Sequence, residues 1–347
     1  NVTGVQTCAL PILLGIDRKG NKKFQTTVNK EVAGKNKKAS GSNPSAVTDG
    51  ERIFVYFKSG DFACLDMDGK LLWQHNLQSM YGSDTLWWDL GTSPVLTSDS
   101  VVVACMHSGP SYVAAFDKAT GKLKWKVDRN VEAPSEAAQS YTTPVVAGKG
   151  DAETIYVLGA DHITAHRAAD GKELWRVGDL NPQKNGFFRS IASPVVSGDI
   201  LVAPYARGST LTAVKLGGSG DVTGSHVLWT KSGLSADVPT PASQDGKIYV
   251  CTDRGEVACL DVKSGEKIWS GNPEPNRNAY SASPVLADGR IYVMREDGKT
   301  FVLSQGGEFK VLAANAMDGE SVVATPTFVD GLILLRTFEN LYCIGNK

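Results

Sequence analysis

The chain has 347 residues, and its 36 basic and 37 acidic side chains give a formal net charge of −1 at pH 7. This balance gives no sign of the basic stripe that marks nucleic-acid binding, so we expect no nucleic-acid partner. No run of 18 apolar residues occurs, which excludes a predicted transmembrane helix, and the length suits one large repeat domain better than an ordinary compact one.

The first twelve residues do not share the pattern of the rest. Val2–Ile12 resembles one translated reading frame of a sequencing-adapter oligonucleotide, so we expect residues 1–12 to be a non-native leader, and an ordinary apolar strand is the alternative. Leu13–Asp17 and Asn21–Phe24 then predict the last two strands of an incomplete first repeat. We therefore expect one domain over residues 13–347 that lacks its native start.

Seven further repeats each open on a proline that usually follows Ser, Thr or Asn. Their separations are 50, 50, 50, 47, 43 and 42 residues, which suit one four-stranded propeller blade per repeat. The prolines are Pro44, Pro94, Pro144, Pro194, Pro241, Pro284 and Pro326.

The segments that follow the prolines predict strands. Arg52–Tyr56, Thr154–Leu158 and Lys247–Cys251 are short β-branched and aromatic runs, and Asp-Gly turn pairs such as Asp245-Gly246 precede several of them. No helical period extends over ten residues, so the chain is predicted to be nearly all-β.

Most repeats end on a glycine four residues before an aromatic side chain. A tryptophan on an outer strand buries a large area and offers an N–H that needs an acceptor, and the glycine permits the tight turn that positions it. We predict that these indoles dock neighbouring blades together: Trp73, Trp125, Trp175, Trp229 and Trp269.

The segment Ala115–Trp125, Ala-Phe-Asp-Lys-Ala-Thr-Gly-Lys-Leu-Lys-Trp, resembles the tryptophan-docking repeat of PQQ-like (quinoprotein-type) β-propellers. The resemblance covers the chain from about Leu13 and extends to the architecture of the BamB lipoproteins. It implies an eight-bladed β-propeller, here with a partial first blade and a three-stranded last blade from Thr325 to Gly345. It also implies export to the periplasm.

The resemblance offers two functions. One is a non-catalytic scaffold, and the alternative is a quinoprotein oxidoreductase acting on alcohols or sugars with PQQ and calcium. In such enzymes the cofactor stacks against a vicinal disulfide, but no Cys-Cys dipeptide occurs in this chain. We therefore favour the scaffold, with no cofactor.

Cysteine and histidine spacing predicts no metal site. Cys64, Cys259 and Cys343 recur at equivalent strand positions and are expected to be small core residues. Cys251 and Cys259 lie on adjacent predicted strands and could form a disulfide in only one register of that hairpin. Cys8 lies in the leader. His162 and His166 are four apart on a predicted strand, where chelation would be difficult.

The long loops between blades are the candidate binding surface for a protein or polysaccharide partner. Trp87 and Trp88 lie outside the glycine-to-tryptophan spacing, so we do not expect them to dock blades; the alternative is that such aromatics fill the centre of the propeller. A basic run from Lys30 to Lys38 is interpreted as a solvated linker. The candidate binding residues are Trp87, Trp88, Asp89, Glu136, Tyr141, Phe188, Arg189, Arg277, Asn278 and Tyr280.

Overall fold

The computed structural model describes residues 3–5, 11–30, 32–317 and 319–345, and these residues are almost entirely in strands and turns. The two short α-helices among them are α1 (Leu77–Tyr81) and α2 (Thr223–His226). Neither is long or apolar enough to span a bilayer. The all-β prediction is confirmed.

The strands follow one another in short antiparallel groups. In chain order they are β1 (Thr3–Val5), β2 (Ile12–Ile16), β3 (Lys22–Thr27), β4 (Val47–Thr48), β5 (Arg52–Tyr56), β6 (Asp61–Asp66), β7 (Leu71–Asn76), β8 (Val95–Leu96), β9 (Ser100–Cys105), β10 (Tyr112–Asp117), β11 (Leu123–Asp128), β12 (Val145–Ala147), β13 (Thr154–Gly159), β14 (His162–Arg167), β15 (Glu173–Val177), β16 (Val195–Ser197), β17 (Ile200–Tyr205), β18 (Thr210–Lys215), β19 (Gly220–Asp221), β20 (Val227–Ser232), β21 (Ala242–Gln244), β22 (Lys247–Cys251), β23 (Val257–Asp261), β24 (Lys267–Gly271), β25 (Val285–Ala287), β26 (Arg290–Met294), β27 (Thr300–Ser304), β28 (Val311–Asn315), β29 (Thr327–Val329), β30 (Leu332–Arg336) and β31 (Leu341–Ile344).

The chain divides into two compact units. The first unit comprises residues 1–191 and 218–221, and it contains the sheets β1–β3, β4–β7, β8–β11 and β12–β15, with β19 added in parallel to the outer edge of β15. The second unit comprises residues 192–217 and 222–347. It contains the sheets β16–β18 with β20, β21–β24, β25–β28 and β29–β31.

The predicted count of eight blades is corrected to seven. Each of the seven prolines is followed by one sheet, from β4–β7 to β29–β31, because every repeat contributes a short inner strand directly after its proline. The β1–β3 sheet follows no such proline, so it is not one of the seven repeats. Its strand β1 lies within the predicted leader and pairs with β2, Thr3 opposite Ile16; residues 1, 2 and 6–10, including Cys8, lie outside the described part.

Hydroxyl side chains explain why Ser or Thr precedes the prolines. In the first unit the amide of Ser93 donates to Thr143 Oγ1 at 3.1 Å, one repeat further along the chain. In the second unit Thr240 N donates to Ser283 Oγ at 3.0 Å and Ser283 N donates to Thr325 Oγ1 at 3.0 Å. The hydroxyl of one repeat thus satisfies a backbone donor of the preceding one.

The outer-strand indoles link successive sheets within each unit. Trp73 Nε1 donates to Lys118 O at 3.1 Å, and Trp125 Nε1 donates to Ala168 O at 2.9 Å. In the second unit Trp229 Nε1 donates to Val262 O at 3.0 Å, and Trp269 Nε1 donates to Gly306 O at 2.9 Å. Each acceptor lies in the outer hairpin of the next sheet. Trp175 is buried against Tyr156, with ring centroids 5.7 Å apart.

The five cysteines in the described part of the chain are free thiols. Cys64 and Cys259 are buried as predicted, whereas Cys343 is exposed, so the core prediction is wrong there because β31 lies in the three-stranded sheet at its edge. Cys251 pairs in register with Val257 and Cys259 with Tyr249, so the two cysteines do not face each other across the hairpin.

Candidate functional site

The loop that carries Trp87 and Trp88 is held firmly at its start. Asn76 Oδ1 accepts the amide of Ser79 and begins α1, and the helix ends at Gly82, whose φ of 100° suits glycine. Beyond the helix the buried side chains of Leu86 and Leu90 anchor the loop on the core. Between these two leucines, Trp87 and Trp88 remain 50% and 43% exposed.

Trp88 is oriented by a buried polar group. Its Nε1 donates to Glu136 Oε1 at 2.9 Å, and Arg189 Nη1 donates to the same oxygen at 3.2 Å. Glu136 lies on a 3-10 helix, Ser135–Ala138, and its side chain is almost fully buried. The guanidinium compensates the buried carboxylate, which would otherwise be costly to desolvate.

Tyr141 supports the same loop through a hydrogen bond to its backbone. Its hydroxyl accepts the amide of Trp88 at 3.1 Å, and its ring is buried. Burial raises the pKa of Tyr141 to about 12. The phenol therefore stays protonated at neutral pH and acts as a support for Trp88 rather than as an exposed contact.

Asp89 is also buried and is used within the chain. Its carboxylate accepts Lys58 Nζ at 2.5 Å and the amide of Lys35 at 2.9 and 2.8 Å. The amide of Asn36 adds a third donor at 3.2 Å. Asp89 thus fixes the segment around Lys35 against the tryptophan loop.

The loop between β15 and β16 brings further aromatic side chains to the site. Phe187 is 66% exposed and its amide donates to Asn185 Oδ1 at 3.0 Å, whereas Phe188 and Arg189 are half-buried. Arg189 connects this loop to Trp88 through Glu136. We call the exposed side chains of Trp87, Trp88 and Phe187 the aromatic surface of the first unit.

The remaining candidates lie in the second unit. Arg277 and Asn278 are exposed, and Asn278 Nδ2 donates to Asp297 Oδ2 at 3.0 Å. Tyr280 is only 1% exposed and packs against Phe301, with ring centroids 6.5 Å apart. Tyr280 therefore contributes to the core of the second unit.

Two parts of the site escape the sequence analysis. Lys58 and Lys35 bind the tryptophan loop through Asp89 and Leu86 O, although nothing in their spacing signals it. His107 Nδ1 accepts the amides of Thr85 at 3.2 Å and Gly109 at 3.0 Å. An isolated buried histidine carries no sequence signal for such a role.

The described residues do not provide the features by which quinoproteins of the resembling family would hold PQQ and calcium. The stacking disulfide has no counterpart, because the sequence has no adjacent cysteines and the described thiols are free. Over residues 3–5, 11–30, 32–317 and 319–345, no three His, Cys, Asp or Glu side chains converge as metal ligands. His166 instead contacts Gly171 O and Thr164 Oγ1, and His162 contacts Ala160 O.

Comparison with known families gives a consistent result. A family model described as "Outer membrane protein assembly factor BamB" matches residues 16–176, 88–226 and 218–322. The protein of that name from Yersinia pestis is 23% identical over 277 residues, which cover 78% of this chain and 62% of that protein. The chain thus spans less than two thirds of that relative's length.

Solved structures share the fold. The crystal structure of BamB from Moraxella catarrhalis aligns with a TM-score of 0.67 at 17% identity, covering 98% of both chains. The quinohemoprotein alcohol dehydrogenase from Comamonas testosteroni aligns with a TM-score of 0.66 at 12% identity, covering 95% of this chain and 68% of that one. At such low identities these likenesses establish the β-propeller fold alone.

Proposed function

Because the chain belongs to the family described as outer membrane protein assembly factor BamB, we propose that it is an exported, non-catalytic β-propeller scaffold in the assembly of outer membrane proteins. It would bind a protein partner at the aromatic surface of the first unit. Its place of action would be the periplasm, where outer membrane proteins are assembled.

The observation that carries this proposal is the contrast between exposed rings and engaged polar groups. Asp89, Glu136 and Tyr141 are all buried and bonded to other parts of the chain. They hold Trp87 and Trp88 outward instead of offering reactive groups. Exposed aromatic side chains on a rigid support are typical of protein interfaces, where tryptophan is enriched among the residues that dominate affinity.

A protein partner is favoured over a polysaccharide. Aromatic rings suit sugars as well, but the relatives that match most of the chain carry a name that refers to protein assembly. The second-unit candidates Arg277 and Asn278 support no separate function, since Tyr280 beside them is buried.

Site-directed photo-crosslinking tests the proposal in cells. A photoreactive amino acid would replace Trp87 or Phe187, and the control would replace Leu228, which is also an exposed apolar side chain (43% against 50% for Trp87) but lies on β20 in the second unit. We expect an adduct with a component of the outer membrane assembly machinery from positions 87 and 187 and none from 228. No adduct, or equal yields from all three positions, would contradict the proposal.

The alternative is a quinoprotein oxidoreductase, which rests on similarity to enzymes of that class. The Comamonas testosteroni dehydrogenase is 24% identical over 162 residues, or 44% of this chain. Purified protein would be mixed with PQQ, calcium, an artificial electron acceptor and a panel of alcohols and sugars. We expect no reduction of the dye above the protein-free control, and steady PQQ-dependent reduction would establish the alternative instead.

A further inference from the structure

The basic segment Lys35–Lys38 is attached to the loop that carries the exposed tryptophans. Asp89 accepts the amides of Lys35 and Asn36, and Lys35 Nζ donates to Leu86 O at 2.6 Å, next to Trp87 in the chain. Lys58 Nζ adds a bond to Ala33 O at 2.6 Å. A segment interpreted from sequence as a solvated linker is therefore fixed beside Trp87.

The carboxylates around the tryptophan loop are engaged with groups other than Lys35 Nζ and Lys37. Asp89 is neutralised by Lys58 and Glu136 by Arg189. Asp84 accepts Gln78 Nε2 at 2.7 Å and the amide of Leu86 at 3.1 Å. Lys35 and Lys37, both exposed, have no carboxylate within 4.0 Å among the residues that the structure describes. Among the described residues, Lys35 and Lys37 thus have no carboxylate in direct contact, and Lys35 is bonded to the loop that carries Trp87. Their two positive charges outnumber the single negative charge of Asp84, whose two donors named above are neutral.

Apolar area accompanies these charges. Val32, three residues before Lys35, is 44% exposed, and Trp87 is 50% exposed next to Leu86, whose carbonyl accepts Lys35 Nζ. Burial of a large apolar side chain away from water is favourable, so exposed side chains of this kind favour a covering partner. Lysines at the rim of such a patch favour a partner of opposite charge.

We propose that Val32, Lys35, Lys37 and Trp87 form a docking surface for an extended acidic segment of a protein partner. This segment would alternate apolar side chains with Asp or Glu. Its apolar side chains would cover Trp87 and Val32, and its carboxylates would pair with Lys35 and Lys37. The proposal rests on the proposed function because it specifies the partner of the aromatic surface.

Charge complementarity selects the partner. A basic segment would place its charges against Lys35 and Lys37, where like charges repel. An anionic bilayer offers the same sign of charge as an acidic protein segment, and tryptophan with lysine also suits a lipid interface. The protein is favoured because the family match concerns protein assembly, and the lipid becomes an outcome of the test.

Fluorescence anisotropy with defined probes tests the proposal on the full chain. The first probe is a labelled twelve-residue peptide that alternates Glu with Leu and Phe, and the second replaces every Glu by Lys. We expect the acidic peptide to bind at least about 10-fold more tightly than the basic one, with an affinity that falls as salt rises from 50 to 300 mM, since exposed charges are screened by salt.

Charge-reversal variants locate the binding. K35E/K37E should lower the affinity for the acidic peptide by about 10-fold, and K35Q/K37Q should lower it by about 3-fold. The reversal has the larger effect because it adds repulsion to the lost attraction. The matched control K263E/K267E makes the same change of net charge on exposed lysines of the second unit and should leave the affinity unchanged. Circular dichroism would verify that each variant is folded, and K35Q/K37Q retains a test if the reversal does not fold.

Several outcomes would overturn the proposal. They are equal affinity for both peptides, wild-type affinity in the folded K35E/K37E or K35Q/K37Q variant, and binding to phosphatidylglycerol vesicles without binding to the acidic peptide. The photo-crosslink from Trp87 separates this failure from that of the proposed function. If the adduct persists at full yield in K35E/K37E, the scaffold function stands and the acidic docking surface is wrong.

Discussion

The seven tryptophans of this chain serve in two different settings. Trp125 is 9% exposed and gives its N–H to a backbone carbonyl of the next sheet, as do three other outer-strand indoles. Trp87 and Trp88 lie in a loop and remain about half exposed. The comparison shows that the same side chain stabilises the fold when a neighbouring sheet covers it and is available to a partner when none does.

A glycine distinguishes the two settings. A Cβ at Gly171 would lie 2.4 Å from the ring of Trp125, and a Cβ at Gly121 would lie 2.6 Å from the ring of Trp73. At Gly121, Gly171 and Gly265 the glycine therefore does more than permit a turn, since its bare backbone receives the indole of the preceding sheet; Gly69 receives the ring of Phe24 in the same way. Trp87 and Trp88 have no such glycine contact among the described residues.

Removal of a docking indole should give the largest effect. Trp125→Ala would leave a cavity and an unpaired Ala168 carbonyl, so we expect a loss of about 3–5 kcal/mol in the free energy of unfolding. Chemical denaturation would measure it, with Trp125→Phe as the variant that keeps an aromatic ring but not the N–H. A loss below about 1 kcal/mol for Trp125→Ala would break the comparison, because surface substitutions have effects of that size or less.

The glycine contact predicts the next largest effect. Gly171→Ala combines a φ of +74° with collision against the Trp125 ring, whereas Gly289→Ala has a φ of +68° and nothing within 4 Å of its new Cβ. We expect Gly171→Ala to cost about 1–3 kcal/mol more than Gly289→Ala, because overpacking adds to the same backbone strain. Equal losses in denaturation would mean that the indole moves aside freely.

The sheets and their docking tryptophans could be predicted from the sequence because their pattern repeats. Four-residue glycine-to-tryptophan spacing, proline period and β-branched runs each occur many times, so one exception such as Trp229, five residues after Gly224, does not obscure the pattern. The blade count failed at the ends of the chain. There the repeat is interrupted, and composition alone could not tell the β1–β3 sheet from a blade opened by a proline.

The candidate site was only partly readable, because each of its contacts occurs once. Exposure of Trp87 and Trp88 followed from their departure from the docking spacing. The burial of Asp89 and Tyr280 could not be predicted in this way. It depends on contacts with Lys58 and Phe301, respectively, and no motif links either pair in the sequence. The sequence suggests a linker for the basic segment because it gives no sign that Asp89 accepts the amides of Lys35 and Asn36, or that Lys35 Nζ donates to Leu86 O.

Acid should affect the loop tryptophans before the docking ones. His107 Nδ1 must be unprotonated to accept the amides of Thr85 and Gly109, and burial lowers the pKa of His107, opposed by the charge of Asp84 and a backbone hydrogen bond to Pro110. Because the folded pKa lies below the unfolded value of about 6.5, this stabilisation is present above that pH and is lost as pH falls towards the folded pKa.

Hydrogen exchange measured from pH 7.5 to 5 would detect this change. After correction for the intrinsic rate, we expect protection of the Thr85 and Gly109 amides to fall with pH in the native chain. His107→Asn, which keeps an acceptor near Nδ1 but does not titrate, should show a shallower fall, and His226→Asn in the second unit should behave like the native chain. Identical slopes in all three would show that His107 does not hold the loop. His166, whose pKa burial also lowers, lies on β14 and does not contact this loop in the described structure.

The loop tryptophans should give the smallest effects on stability. Trp87→Ala removes a half-exposed ring, so we expect a change within about 0.5 kcal/mol. Trp88→Ala also removes the N–H that Glu136 accepts, but Arg189 remains bonded to the same carboxylate, so the loss should be about 1 kcal/mol or less. Both variants should nevertheless reduce the yield of a photo-crosslink placed at Phe187, since they remove apolar area that a partner would cover. A loss of several kcal/mol for Trp88→Ala would mean that it belongs with the docking indoles, and the distinction between fold-stabilising and partner-binding tryptophans would then have to be drawn at Trp87 alone.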